Sequence, residues 1–110
     1  RVVETVRSQP KHSKLVLYTI LDMTDDEDKI ATGDVYSEYK ELCSDVDVSE
    51  LTQRRVSGLI SELDMLGVIN AKVISKGRYG RTRQISVDLS DNIRQQLRDM
   101  VEDNFYLDED

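Results

Sequence analysis

The stretch Lys76-Gly77-Arg78-Tyr79-Gly80-Arg81-Thr82-Arg83 is the feature from which the organisation of this chain can be worked out. It holds four of the fifteen basic residues and no acidic residue, in a chain with a formal net charge of −7. The remaining residues carry eleven bases against twenty-two acids, a net charge of −11. Because glycine permits tight turns and close approach of the backbone, the stretch predicts a basic hairpin tip that contacts phosphate.

Residues on both sides of this basic stretch alternate between apolar and polar side chains, the period of a β-strand. Before it, the segment Val68–Ser75 places Ile69, Ala71 and Val73 on one face. After it, the segment Gln84–Leu89 places three apolar residues in register: Ile85, Val87 and Leu89. The pattern therefore predicts two strands, 68–75 and 84–89, joined as a hairpin by the basic loop.

The segment before the hairpin has the clearest helical pattern in the chain. Its apolar residues recur at helical spacing and form one stripe: Val56, Leu59, Ile60, Leu63 and Leu66. Thr52 suits the N-cap position, and Leu51 before it suits a hydrophobic staple with Val56. Gly67 is a typical residue just after a helix end. These signals predict a helix over 53–66, the third of the predicted domain.

The opposite face of this third helix is small and polar, with two arginines in the first turn. Its residues are Gln53, Arg54, Arg55, Ser57, Gly58 and Ser61. Basic side chains in the first turn of a helix oppose the helix dipole, at a cost of some tenths of a kcal/mol each. An anion bound at that end would reverse the sign of this effect. The face is therefore a second candidate contact site.

The rest of the chain supplies three further helices or helix fragments and a short strand. Dense apolar residues after Pro10 predict a first helix over 11–23, and Ile30-Ala31 predicts a brief strand. Thr32, as N-cap, opens a second helix over 33–44, and Ser90 caps a last helix that runs to about residue 105. We assign 1–10 to a linker or helix end, 11–106 to the domain and 107–110 to an acidic tail.

This order of elements predicts a mainly α fold with a small β-hairpin, a winged helix-turn-helix. In such a fold the third helix enters a major groove of DNA, and the hairpin tip reaches the backbone and the minor groove nearby. Arginine supplies charge at both places, and small residues let the helix approach base edges. The predicted DNA contacts are Thr52, Gln53, Arg54, Arg55, Ser57, Ser61, Lys76, Gly77, Arg78, Tyr79, Gly80, Arg81 and Arg83.

Length and composition exclude several other classes of function. A chain of 110 residues fits one small domain. It has no apolar run near the roughly 20 residues that span a bilayer, so we expect a cytoplasmic protein without a membrane partner. One cysteine and one histidine do not make a zinc site, and we interpret Cys43 as a core residue and His12 as structural. No phosphate-binding loop motif is present, so we expect neither an enzyme nor a cofactor in this chain.

The acidic residues must be weighed by their position. They cluster at 25–28, 45–50 and 108–110, away from the basic stretch. Fourteen Asp against eight Glu, and six Lys against nine Arg, give an acid-rich and lysine-poor surface of the kind that salt-loving organisms use to stay soluble. A high-salt cytosol is one hypothesis for this composition, and an ordinary acidic domain is the other.

Several motifs resemble one known family. The segments LTQRRVS (51–57), ISELDMLG (60–67) and KGRYGRTR (76–83) are similar to the C-terminal domain of archaeal replication initiators, the origin-recognition/cell-division-control ATPases. The segment Pro10-Lys11-His12, followed by Leu15-Val16-Leu17, is similar to the start of that domain. The resemblance implies a winged helix that binds repeats of origin duplex DNA, beside an AAA+ ATPase portion that would bind ATP and magnesium. It also implies three possible protein partners: that ATPase domain, other initiator copies and a helicase.

Two other functions fit the same fold. One is a protein-interaction winged helix, whose acidic face docks a replication partner. The other is a stand-alone transcription regulator, a class that needs long dimerisation helices at its termini. Loss of DNA binding when Arg78 and Arg81 are replaced favours the DNA-binding hypothesis, whereas a protein partner that tolerates those changes favours the first alternative.

Overall fold

A computed structural model describes residues 1–75 and 81–105, with the side chain of Arg81 excepted. The helices are α1 (Val2–Arg7), α2 (Lys11–Thr24), α3 (Thr32–Asp45), α4 (Gln53–Met65) and α5 (Asp91–Phe105). The strands are β1 (Ile30–Ala31), β2 (Asn70–Ser75) and β3 (Arg81–Ser86), which form an antiparallel sheet in the order β1-β3-β2. The predicted winged helix-turn-helix is confirmed, and the predicted third helix is α4.

The helix ends show which of the predicted sequence signals act in the structure. The backbone N–H of Arg55 donates to Thr52 Oγ1 at 3.2 Å, and that of Ile93 donates to Ser90 Oγ at 3.2 Å, so both predicted N-caps are confirmed. Gly67 has a φ of 80° directly after α4, a conformation that favours glycine. The prediction for Thr32 is wrong. Ala31, already extended in β1, is the N-cap of α3, and no side-chain cap bond is present.

The strands differ from the prediction at both ends. β2 begins at Asn70 rather than 68: Gly67 turns the chain, and Val68 and Ile69 are buried in the core before the strand starts. β3 covers Arg81–Ser86 rather than 84–89. Its register pairs Ser75 with Arg81 and Asn70 with Ser86, so β2 offers no partner beyond Ser86. The charge of residues 81–83 favoured a loop in the prediction, although these residues are paired in the strand.

The core lies between the helices and one face of the sheet. Its largest fully buried side chains include Tyr39, Leu15, Leu17, Ile20, Leu21, Ile60, Leu63, Ile69, Ile85 and Leu97. Segment 1–10 contains the helix α1, whose Val6 is buried in this core. Burial raises the pKa of the Cys43 thiol, and this residue is a core side chain as the sequence indicated. α4 is thus held with Val56, Ile60 and Leu63 of its apolar stripe inward, whereas Leu66, predicted on the same stripe, is 46% exposed.

Two arginines of α5 fasten the end of α2. The guanidinium of Arg94 donates to Leu21 O at 2.8 Å, to Thr24 Oγ1 at 2.9 Å and to Asp25 Oδ1 at 3.0 Å, and Arg98 also donates to Asp25. Partial burial opposes ionisation of Asp25, but the hydrogen bonds from Arg98 and Arg94 outweigh it and lower the pKa of this carboxyl. One member of the first acidic cluster therefore has a structural partner.

Candidate nucleic-acid interface

The first turn of α4 projects two guanidinium groups from the protein. Gln53, Arg54 and Arg55 are exposed, while Val56 in the next position is fully buried. The cap from Thr52 fixes the backbone of this turn, and the turn contains no acidic residue. Positive charge with no acidic residue in the same turn therefore lies at the helix end where the dipole is also positive.

Gly58 follows on the same exposed side of α4. A Cβ built at this position would meet no heavy atom of the described residues within 4 Å. Glycine inside a helix is roughly 0.5–1 kcal/mol less favourable than alanine. Packing among the described residues does not require a glycine here, so its small size leaves space for something outside the fold.

Arg83 of β3 connects the sheet to the polar side of α4. Its Nη1 donates to Ser61 Oγ at 2.6 Å, and its Nη2 donates to Ser57 Oγ at 2.6 Å and to Ser57 O at 2.8 Å. Three residues predicted as DNA contacts are therefore bonded to one another. The polar character of each was evident from the sequence, but no sequence signal indicated this pairing.

Two tyrosines of α3 hold the residue that leads into α4. The Tyr36 hydroxyl donates to Leu51 O at 2.9 Å, and the Leu51 N–H donates to the Tyr39 hydroxyl at 2.9 Å. The Tyr39 hydroxyl also lies 2.8 Å from His12 Nδ1 on α2. This network was not predicted from the sequence. The available signal was a pair of tyrosines three residues apart on an otherwise apolar stripe, because a buried tyrosine hydroxyl needs a partner.

The protonation states in this network follow from its surroundings. Burial lowers the pKa of His12, and the nearby charges of Lys11 and Arg55 lower it further. Burial raises the pKa of Tyr39 to about 12. At neutral pH the hydroxyl of Tyr39 therefore accepts from Leu51 and donates to an unprotonated Nδ1 of His12. His12 is structural, as predicted, and its partner is Tyr39 of α3.

Replacing Tyr39 by Phe is expected to lower the free energy of unfolding by about 1–3 kcal/mol, because the partly buried Leu51 N–H and His12 Nδ1 lose their partner. The measurement is urea denaturation at pH 7.5. The matched control is Tyr36→Phe, which removes only the hydrogen bond from this hydroxyl to the carbonyl oxygen of Leu51. Equal losses for the two variants would contradict the role given to Tyr39.

The network also predicts a pH dependence. Because the folded pKa of His12 lies below its ordinary value of 6.5, folding favours the neutral imidazole. The contribution of His12 to the free energy of unfolding is therefore present above pH 6.5. It is lost as the pH falls from 6.5 through the pKa that His12 has in the folded protein. His12→Gln should remove this part of the pH profile, and an unchanged profile would contradict the assignment.

The structure brings the predicted site residues together in part. Thr52, Gln53, Arg54 and Arg55 form the first turn of α4, and Ser57 and Ser61 lie along the same helix. The predicted wing residues Lys76, Gly77, Arg78, Tyr79 and Gly80 lie outside the described residues. Arg81 begins β3, and its pairing with Ser75 places the wing tip between the ends of β2 and β3 in the chain.

Within residues 1–75 and 81–105, no group of three or more His, Cys, Asp or Glu side chains is placed to hold a metal ion. No helix in the same described part of the chain has the length and apolar character needed to cross a bilayer.

Comparisons with known sequences identify the family. The family model described as the C-terminal winged-helix domain of CDC6 matches residues 4–95. ORC1-type DNA replication protein 1 of Archaeoglobus fulgidus is 49% identical over 106 residues, which are 96% of this chain and 25% of that protein. ORC1-type DNA replication protein 7 of Halobacterium salinarum is 59% identical over 90 residues, or 81% of this chain and 17% of the relative. The chain thus spans a quarter or less of these relatives.

Solved structures agree with this match. The ORC1 protein of Aeropyrum pernix, solved in complex with DNA, superimposes with a TM-score of 0.84 and 44% identity over 96% of this chain and 27% of that one. The Drosophila origin-recognition complex bound to DNA includes a chain with a TM-score of 0.73 and 15% identity, which shows a shared fold. The chain belongs to the family of CDC6 C-terminal winged-helix domains, found in archaeal ORC1-type DNA replication proteins.

Proposed function

We propose that this chain is the DNA-reading module of a replication initiator, and that it binds origin duplex DNA through α4 and the wing. The wing is defined here as β2, β3 and the connecting residues 76–80. α4 enters a major groove, and the wing follows the backbone into the neighbouring minor groove. The observation that carries the proposal is the exposed, acid-free first turn of α4 with Arg54 and Arg55.

The electrostatics of this first turn favour an anionic ligand. In the free protein Arg54 and Arg55 oppose the helix dipole, and no acid in the first turn compensates them. A phosphate at this end would satisfy both the guanidinium groups and the dipole. Arginine side chains of this kind also read guanine by two hydrogen bonds, and Gln53 suits adenine in the same way.

The open space over Gly58 supports close approach of a groove. A recognition helix must come near the base edges, and bulky side chains in its middle would hold it away. A duplex seated on this side of α4 would account for a glycine that internal packing does not require. The Aeropyrum pernix relative, which was solved with DNA, supports the same ligand class for this chain.

The wing contributes charge from a short segment. Lys76, Arg78 and Arg81 supply the cations, while Gly77 and Gly80 permit close approach to the backbone. Tyr79 suits stacking on a sugar or a hydrogen bond to phosphate. Arginine inserted into a narrow minor groove is an established device of DNA recognition.

The relatives imply further partners for the longer protein. Because this chain spans about a quarter of the Archaeoglobus fulgidus relative, ATP and magnesium binding are proposed only for the remaining portion, in an initiator that acts in the cytoplasm. The ATPase domain, other initiator copies and a helicase are the proposed protein partners. For this chain itself we propose no cofactor and no catalytic activity.

The wing is tested by replacing Arg78 and Arg81 with Ala and measuring affinity for a duplex with repeats from an archaeal replication origin. For each phosphate that is no longer neutralised, the slope of log affinity against log salt should fall by about 0.9, and affinity should fall with it. Because the proposed DNA contacts are confined to two small sites on an acidic chain, the unmodified chain should show a shallower slope than a basic domain. Unchanged affinity in both variants would overturn the proposed role of the wing.

A second candidate function is docking of a protein partner. Met65 is 85% exposed and Leu66 is 46% exposed at the C-terminal end of α4, which leaves an apolar surface beside the polar one. Retained binding of a replication protein by variants that have lost DNA affinity would favour this function. Loss of both together would favour DNA binding as the primary role.

A further inference from the structure

Arg83 lies on the inner face of the sheet, at the edge of the core. Side chains two residues apart in a strand lie on the same face, so Arg83 shares a face with the fully buried Ile85. In the strand register, Ala71 pairs with the buried Ile85, and Val73 pairs with Arg83 two residues further from the core. Val73 is 56% exposed, so this pair lies where the inner face of the sheet leaves the core beside α4.

The guanidinium of Arg83 spans one turn of α4. Ser57 and Ser61 are four residues apart, hence neighbours on the helix surface. Nη1 donates to Ser61 Oγ at 2.6 Å, while Nη2 donates to Ser57 Oγ at 2.6 Å and to Ser57 O at 2.8 Å. A planar group bonded at two heights on a helix restrains the rotation of that helix as well as its distance from the sheet.

A second contact restrains the far end of α4. The backbone N–H of Ala71 donates to Asp64 Oδ1 at 3.2 Å, near the start of β2. One contact alone would leave α4 and the hairpin able to pivot about it. With Arg83 bonded to Ser57 and Ser61 as well, the angle between α4 and the wing is restrained at two places.

We propose that Arg83 is a positioning residue, which sets the angle and spacing between α4 and the wing and is not itself a phosphate contact. The inference rests on the proposed DNA-binding function, and it reassigns Arg83, Ser57 and Ser61 within that function. Three of the five N–H donors of the Arg83 guanidinium are already used inside the fold, and both terminal nitrogens take part. The two serines serve as acceptors for the arginine, which explains their small polar side chains on this face.

The test is a double-mutant cycle on the 110-residue chain with Arg83→Lys, the pair Ser57→Ala and Ser61→Ala, and all three changes together. Lysine keeps the charge but lacks the planar fork. If Arg83 acts through the serines, Arg83→Lys and the serine pair should each weaken binding of the origin-repeat duplex by about 10-fold, and the triple variant by no more than either. Arg7→Lys, on the exposed surface of α1, is the matched control that should leave affinity unchanged.

Thermal unfolding without DNA supplies the second readout. The same non-additivity should be seen in the melting temperatures of the free protein. Effects on affinity that multiply to about 100-fold would mean independent DNA contacts and would overturn the inference. Full affinity in Arg83→Lys would overturn it as well, because a phosphate contact tolerates lysine. If the unmodified chain does not bind the duplex, the proposed function fails, whereas non-additive unfolding in DNA-free protein would still identify the contact.

Discussion

Reversing the charge of the first turn of α4, by Arg54→Glu and Arg55→Glu, is expected to weaken duplex binding at 0.1 M salt by at least about 100-fold. Removing one cation from a DNA phosphate lowers affinity by roughly 0.9 log units at this salt concentration, and the new carboxylates add repulsion. Both side chains are exposed, so their replacement leaves the core of the domain untouched. Fluorescence anisotropy with a labelled origin-repeat duplex measures the change.

The same double variant should be more stable than the parent chain. Acidic residues in the first turn interact favourably with the helix dipole, whereas Arg54 and Arg55 oppose it. We expect a gain of about 0.3–1 kcal/mol per position in urea denaturation. A gain in stability with a loss of affinity would show that these arginines are retained for binding. A loss of stability would instead indicate damage to the fold.

The matched control keeps the change in net charge but moves it to α1. Arg1→Glu and Arg7→Glu alter the formal charge by the same amount, on a helix that packs against α5. The existing pair between Arg7 and Glu4, at 3.7 Å, is exposed and contributes little to stability. This control should bind DNA within about 3-fold of the parent, since neither side chain belongs to the proposed interface and salt screens exposed charges. Equal losses in both variants would mean that net charge, rather than position, governs binding.

The comparison of these variants also tests how a chain with net negative charge could bind DNA. A net charge of −7 repels DNA at long range, while contact is made by the local charges at the interface. Under the proposed function, an acidic background restricts DNA binding to the places where basic residues are concentrated, namely the first turn of α4 and the wing. The structure adds that Arg83, part of the basic stretch by sequence, is bonded to α4 in the free protein.

Local sequence signals were sufficient for α4 and its ends. The buried residues Val56, Ile60 and Leu63 recur at helical spacing, Thr52 has a hydroxyl that can cap the helix, and Gly67 readily adopts the positive φ found there. Each of these signals depends on residues within four positions in the chain, so each can be recognised from the local sequence. The helix was predicted to within about one or two residues, the usual uncertainty of helix ends.

The strands and the Arg83 contact depend on residues distant in sequence. β3 is paired with β2, and its limits follow from where β2 starts after Gly67, so its own alternation did not fix them. The partners of Arg83 lie 22 and 26 positions earlier, on another element. In the sequence alone, an arginine beside a glycine-rich turn is indistinguishable from a phosphate-binding one. The proposed DNA contacts of the wing tip likewise stay predictions.

Truncating Leu63 to Ala is expected to lower the free energy of unfolding by about 3 kcal/mol, within the range measured for buried leucines. Leu63 is 1% exposed and belongs to the core stripe of α4. Its backbone oxygen also accepts from Val68 N at 3.0 Å, so the residue lies where the helix turns into the hairpin. In a domain of this size, a loss of that magnitude corresponds to a melting temperature lower by roughly 12–24 °C.

The matched control is Leu66→Ala, the same chemical change three residues along and at a side chain that is 46% exposed. It should cost less than about 1 kcal/mol, because little apolar surface returns to water and no cavity forms. Below its melting transition Leu63→Ala should still bind the origin-repeat duplex within about 3-fold, since ordinary domains have about 5–15 kcal/mol to lose. Core and interface then respond oppositely: Leu63→Ala loses stability and keeps affinity, while Arg54→Glu with Arg55→Glu loses affinity and gains stability. Similar losses in Leu63→Ala and Leu66→Ala would mean that α4 is not seated on the core as the structure has it, and the exposed face assigned to DNA would have to be reconsidered with it.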